Sequence, residues 1–241
     1  MKLLRTAKEL EERVLELGFL PFFRNAIPGF SVEEMADREL WFVKDVDGPW
    51  EWKGPVVRNR KCAYGKFYGG KAMYVRLDLF ADFANWRRAA HPLLGKADGN
   101  GPADAAVLDT VREYGSVLSS DLKRIFEALP RRKRTAYDLV DLTGLDNIEY
   151  KVNRNALERS LTSLQMGTQL VIENFEYATS KSGKPYGWGL ARYSTPEALF
   201  GEDFTAATQG RTPVESYRFL LEYLHKLLPA APERQLLYLL K

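Results

Sequence analysis

KVNRNALERSLTSLQMGTQLVIENFEYATSKSGKPYGWGLARY, running from Lys151 to Tyr193, decides the fold. In its first third, Leu157, Leu161 and Leu164 recur at spacings of four and three, which puts them on one face of a helix. Arg154 and Arg159 fall away from that face. Asn153 or Asn155 can cap the helix start, since a side-chain oxygen there accepts from the free backbone donors of the first turn. Gly167 ends the helical pattern. QLVIENFEYA is rich in β-branched and aromatic residues and reads as a strand. The polar tip Ser180–Pro185 and the return strand WGLARYS complete a hairpin. Helix then hairpin with a basic tip is the second half of a winged helix-turn-helix, in which the helix enters a groove of DNA and the tip follows the phosphates.

Working outward, ADAAVLDTVREYG and the segment from Leu118 to Phe126 predict two preceding helices. The order is therefore helix, helix, connector, helix, hairpin. The connector from Leu129 to Tyr150 is long for such a fold and carries Arg131-Arg132-Lys133-Arg134, a phosphate anchor or a solvated loop. Gly95 to Pro102 is the clearest linker, being small, polar and glycine-rich. After the hairpin, Thr195-Pro196 and Thr212-Pro213 both look like helix starts, a capping Thr followed by Pro at the first helical position. VESYRFLLEYLHKLL is strongly amphipathic and PERQLLYLL adds a short apolar helix. These pack onto the body of the protein or form the face of a homodimer.

The N-terminal third predicts a helix over Ala7–Leu17 with Gly18 as its stop, and a short helix from Val32. The second rests on Ser31-Val-Glu-Glu34, whose spacing lets Ser and Glu each satisfy a backbone donor of the other. ELWFVKD reads as a strand or a final helical turn. Asp47 to Pro55 reads as irregular, because two prolines and two glycines flank a Trp pair. From Val56 the pattern turns strand-like, and KCAYGKFYGGKAMYVRLDLF predicts a hairpin turning at Gly69-Gly70. ADFANWRRAAHPLL follows as a short helix. Between Lys53 and Arg76 stand seven basic residues (Lys53, Arg58, Arg60, Lys61, Lys66, Lys71, Arg76) and no acid, interleaved with Tyr64, Phe67, Tyr68 and Tyr74. That pattern suits either a nucleic-acid surface with stacking rings or a two-sided strand pair with aromatics inward and bases outward.

The expected class is α+β: a winged helix-turn-helix, single or in tandem with a second winged-helix-like unit, and a helical C-terminal tail. Residues 1–95 form an N-terminal unit with the basic hairpin, 102–194 the winged helix, and 195–241 the C-terminal helices. The chain has 241 residues, 45% of them hydrophobic, enough for a sizeable core. A formal charge of +3 is too small to argue for nucleic acid by itself. One cysteine, Cys62, excludes an internal disulfide framework and suits a reducing cytoplasm. His91, His225 and Cys62 are too few for a typical zinc site, so no metal and no cofactor is expected. The N-terminus reads as a helix rather than a signal peptide, and no membrane association is expected.

Gly65 to Ala72 nearly fits a phosphate-binding loop, but Ala72 lacks the hydroxyl for magnesium and the flanks read strand-turn-strand. Asp45-Val-Asp47-Gly48 opens like a calcium loop, but Val56 stands near where its carboxylate is needed. Asp45, Asp47 and Glu51 beside Trp50 and Trp52 make the best catalytic constellation. A carboxylate losing solvation against an indole gains pKa and can act as acid or base, and a flipped base can stack on such a ring. The competing reading is a tight turn whose Trp residues plug the core. Candidate DNA contacts are Lys151, Arg154, Arg159, Lys181, Lys184, Lys66 and Lys71.

GFLPFFRNAIPGFSVEE, DVDGPWEWKGPVVR, CAYGKFYGGKA, FADFANWRR, PYGWGLARYSTPEALFGEDF and RTPVESY together resemble the AlkZ-related proteins, a bacterial family. The family is named for similarity to winged-helix DNA glycosylases that remove alkylated or cross-linked bases. The resemblance implies winged-helix architecture and contact with double-stranded DNA, and suggests base excision in DNA repair. Those glycosylases use a Gln-x-Gln motif to position the attacking water. Here Gln165, Gln169, Gln209 and Gln235 include no such pair, so the resemblance transfers no catalytic residue.

Overall fold

The computed structural model of the protein describes residues 3–43, 46–91, 101–128, 154–179 and 185–241. Helix α1 (Ala7–Leu17) starts where Thr6 Oγ1 accepts from the Glu9 amide and stops at Gly18, whose φ of 71° an L side chain resists. Strand β1 (Phe19–Pro21) leads to α2 (Val32–Met35). At its start Ser31 Oγ accepts from the Glu34 amide and donates to Glu34 Oε2 at 2.6 Å, but the other half of the expected reciprocal cap is replaced, since Glu34 Oε1 accepts from the Gly29 amide (3.1 Å). A single 3-10 turn (Arg38–Leu40) stands in place of the expected strand or helical turn.

The largest correction concerns Asp47 to Pro55, which is not irregular. Pro49–Arg58 is helix α3. Pro49 is pre-set for the first helical position, and Glu51 Oε2 accepts from the Gly48 amide at 2.9 Å. Pro49, Trp52, Lys53, Val56 and Val57 form its buried stripe at helical spacing. Pro55 lies inside the helix on the exposed side, where its missing donor is offset by that burial. Strand structure accordingly begins at Cys62, not Val56. Strands β2 (Cys62–Tyr68) and β3 (Lys71–Arg76) turn at Gly69-Gly70, with φ of 54° and 76°. The segment from Leu77, expected as the end of the strand, opens α4 (Leu77–Ala90) instead.

The second half runs α5 (Gly101–Tyr114), β4 (Ser116–Leu118), α6 (Ser119–Ala128), α7 (Arg154–Met166), β5 (Val171–Thr179) and β6 (Pro185–Ser194). Gly101 and Pro102, expected in the linker, belong to α5, and the rest of that linker falls outside the described residues. So does the whole of the long connector, with its basic run, and so does Asn153. Asn155 lies within α7. After Gly167, the left-handed position is taken by Thr168 (φ 57°). Helices α8 (Pro196–Phe200), α9 (Pro213–Leu227) and α10 (Glu233–Leu240) follow. Thr195 and Thr212 cap α8 and α9 as their spacing predicts.

The two halves share one element order among the described residues: helix, strand, two helices, then a hairpin. Each has a three-stranded antiparallel sheet in which the first strand pairs with the last, β1-β3-β2 and β4-β6-β5. One hydrophobic cluster runs through both halves, from Phe19 and Tyr74 to Leu161 and Leu236. Helix α4 is its joint, packing on β2, β3 and α9. Arg87 of α4, with no exposed surface, donates to the carbonyls of Met166 (2.9 Å), Phe67 (2.8 Å) and Leu239 (3.4 Å), tying α7, β2 and α10 together.

Candidate functional site

Strand β2 is buried along nearly its whole length, because α7 covers one of its faces. Gln165, fully buried in α7, accepts from the Lys66 amide at 3.0 Å and donates to the Leu161 carbonyl at 2.7 Å. Lys66 Nζ donates to Thr162 Oγ1 at 3.0 Å, and the Gly70 amide lies 3.1 Å from Met166 Sδ. The hairpin of the first half and α7 of the second therefore share one edge. Thr162 is one turn from the exposed Arg159, and Lys71 is exposed beside Gly70. Of the candidate DNA contacts, Lys66 touches α7 directly, whereas Lys71 and Arg159 lie one residue and one turn from the contacting positions Gly70 and Thr162. Glu158, on the same helix, pairs with Lys123 at 3.3 Å and offsets part of the positive charge.

The dense run of bases from Lys53 to Arg76 is mostly spent within the protein. Arg58 donates to Asn174 Oδ1 (3.0 Å), Arg60 pairs with Glu173 (3.8 Å), Lys61 with Glu11 (2.6 Å) and Arg76 with Asp78 (2.6 Å). Tyr64, Phe67, Tyr68 and Tyr74 are all buried. The aromatics point inward, as the two-sided reading expects. The clean alternation it also expects is lost, because both faces of β2 are covered.

A second cluster lies where α3 meets β5. Lys53 is only 3% exposed. Its ammonium sits 3.3 Å from the Trp50 ring centroid and 4.3 Å from that of Phe175, held by the negative faces of two rings. Among the described residues it has no ion-pair partner. Burial lowers its pKa from 10.5 to about 8, an effect the Glu51 carboxylate partly opposes. The Tyr177 hydroxyl of β5 is buried without a hydrogen-bond partner among the described residues, as is that of Tyr74. Burial, and then the charges of Glu51 and Asp47, raise the pKa of Tyr177. Tyr64 bridges this group, its ring 4.5 Å from Tyr74 and 5.8 Å from Phe175. The arrangement is an aromatic cluster enclosing one amine, with the Glu51 carboxylate close enough to act on its charge.

Of the sequence-derived candidates, Glu51 stands in this cluster and Asp47 beside it. Trp50 is half-buried over Lys53. Trp52 is 3% exposed and donates from Nε1 to the Asp47 carbonyl at 2.9 Å, which makes it a core residue. Asp45, Lys151, Lys181 and Lys184 lie outside the described residues. Arg154 is the first residue of α7. Sequence reasoning does not single out Lys53, although it continues the stripe Pro49, Trp52, Val56 and Val57. The prolines conceal the helix that gives that stripe meaning. Arg87 and Asp82 escape it too, because nothing local marks a charge as buried.

Among the described residues no group of three His, Cys, Asp or Glu is placed to hold a metal, and no helix is long and apolar enough to cross a membrane. No curated protein and no solved structure matches the chain. A family model described as AlkZ related matches residues 4–241, taking in both sheets, the α4 joint and the C-terminal helices. With that span matched almost from end to end, the chain belongs to the AlkZ-related family.

Proposed function

We propose that this protein is a tandem winged-helix protein that binds double-stranded DNA along the edge shared by α7 and the β2–β3 hairpin. The order helix, strand, two helices and hairpin, with the first strand paired to the last, supports a winged helix in each half. The observation that carries the DNA reading is the contact of Lys66 Nζ with Thr162, which sets a basic hairpin beside the exposed face of α7. Arg154 and Arg159 on α7, with Lys66 and Lys71, would meet phosphates. Lys151, Lys181 and Lys184, outside the described residues, are further candidates for phosphate contact from their place in the sequence. Membership of the AlkZ-related family agrees with a role in DNA repair.

The test is binding of a labelled random duplex across a salt series, for the native protein and for Lys66→Ala/Lys71→Ala/Arg159→Ala. Removing one phosphate-neutralising side chain should make the slope of log affinity against log salt shallower by about 0.9. The triple variant should bind more weakly with a slope shallower by about 2 to 3. Absence of native binding near 50 mM salt, where the electrostatic attraction is strong, would sink the proposal.

A second reading, base excision, is favoured by the aromatic cluster between α3 and β5. Trp50 is half-buried there over Lys53, and a flipped base needs a ring to stack on. A glycosylase assay on alkylated duplex decides between excision and binding alone.

A further inference from the structure

We infer that Lys53 is a nucleophile that captures an aldehyde, and that its substrate class is the open-chain deoxyribose of an abasic site in duplex DNA. This rests on the duplex-DNA reading above and adds a covalent step to it.

A lysine ammonium is among the costliest groups to bury without an ion-pair partner. Here the α3 stripe carries one inward at Lys53, where Val or Leu would pack more cheaply. Two ring faces receive it, and among the described residues no carboxylate lies within ion-pair distance. Cation–π attraction offsets only part of that cost. Such an environment favours the neutral amine, the form that attacks carbonyls. The cage sits close to solvent on the side of Trp50, which is half-buried, whereas Phe175 closes it from the core. The Tyr177 hydroxyl, on the same strand as Phe175 and unpartnered among the described residues, leaves a donor for a sugar's oxygen atom. Helix α3 also holds in the first half the position that α7 holds in the second, next to the strand order that repeats between them.

The step balances without an outside redox partner. The Lys53 Nζ lone pair attacks C1′ of the aldehyde and an N–C bond forms. The nitrogen's protons pass to the carbonyl oxygen, which departs as water and leaves an imine. Water returning to C1′ reverses the sequence and frees the amine.

The experiment has two arms, both on the full chain. In the first, glyceraldehyde and cyanoborohydride at pH 7.5 reduce any imine to a stable secondary amine, and peptide mass mapping gives the rate at each lysine. Lys53 should be labelled at least about tenfold faster than the exposed Lys8 and Lys71, since a fall of one pKa unit gives about ten times more neutral amine. Labelling at or below the rate of those two overturns the inference. In the second arm, a duplex with one abasic site and its intact counterpart are incubated with cyanoborohydride, and covalent adducts are read on a denaturing gel. Native protein should give an adduct with the abasic duplex alone. Lys53→Met and Lys53→Arg should lose the adduct by tenfold or more while binding intact duplex as the native does. An adduct undiminished in Lys53→Arg, or duplex binding without an adduct, overturns this inference and leaves DNA binding standing. No duplex binding at all overturns both.

Discussion

The Asp82 carboxylate, with none of its surface exposed, accepts two hydrogen bonds from the Arg211 guanidinium at 2.8 Å each. A third comes from the Ser216 hydroxyl at 2.6 Å. Asn85 adds donations to the Arg211 carbonyl (2.8 Å) and to Ser216 Oγ (2.9 Å). The network fixes α9 on α4 and so fixes the C-terminal helices on the body of the protein. Arg211→Ala leaves a buried carboxylate with a hydroxyl alone, and should cost about 3 to 5 kcal/mol in urea unfolding. Asp82→Asn/Arg211→Met, which removes both charges, should cost clearly less than Arg211→Ala, since the penalty arises from the unpaired charge.

Arg87 predicts a different pattern. Its guanidinium donates to three backbone carbonyls rather than to an acid, and burial lowers its pKa to about 9. Arg87→Met keeps much of the volume but strands those acceptors, at about 1 to 3 kcal/mol for each fully desolvated one. The loss should appear as a fall in the urea midpoint, and hydrogen exchange should show α10 opening sooner, because Leu239 is one of the three anchors.

Lys53 gives a pH dependence. Its folded pKa of about 8 lies below the ordinary 10.5, so folding disfavours the charged form. Between those two values the unfolded chain holds a proton that the folded chain has released, and stability rises with pH across that window. Below about pH 8 the full cost is present, about 3 kcal/mol for a fall of that size. Lys53→Met should therefore flatten the rise seen in the native protein between pH 8 and 10. It should be at least as stable as the native protein at pH 7, after loss of about 1 to 2 kcal/mol of cation–π attraction. Chemical unfolding at a series of pH values, read as the difference between the two proteins, checks this.

Cys62 is buried, and burial pushes its thiol up to about 12. The thiolate fraction at pH 8 is therefore very small, and a disulfide reagent should react no faster than the protein opens. Reaction at the rate of a free thiol would contradict this packing.

Gly48 has no room for a side chain, since a Cβ there would lie on the Leu40 carbonyl oxygen. Gly48→Ala should push α3 away from the 3-10 turn and lower stability by about 1 to 3 kcal/mol. The perturbed helix also carries Lys53 and Trp50, so Trp fluorescence should change in the folded state.

Much of the local structure is legible in the sequence because its causes are local. The caps at Ser31, Thr195 and Thr212, the Gly18 stop and the Gly69-Gly70 turn each depend on atoms within a few residues. The leucine stripe of α7 and the β5–β6 hairpin follow from periodicities of 3.6 and 2. Family membership is readable as well, from blocks of residues spread over the whole chain. The tertiary structure alone decided the charges. The run from Lys53 to Arg76 contains no acid, and its partners Glu11 and Glu173 come from elsewhere in the chain. Only folding turns a basic stretch into a largely neutralised one. The same holds for α3: its prolines signal a break, and the burial that overrides them exists only once β5 and the first sheet are in place. Propensity is set by neighbours in sequence, whereas burial and ion pairing are set by neighbours in space.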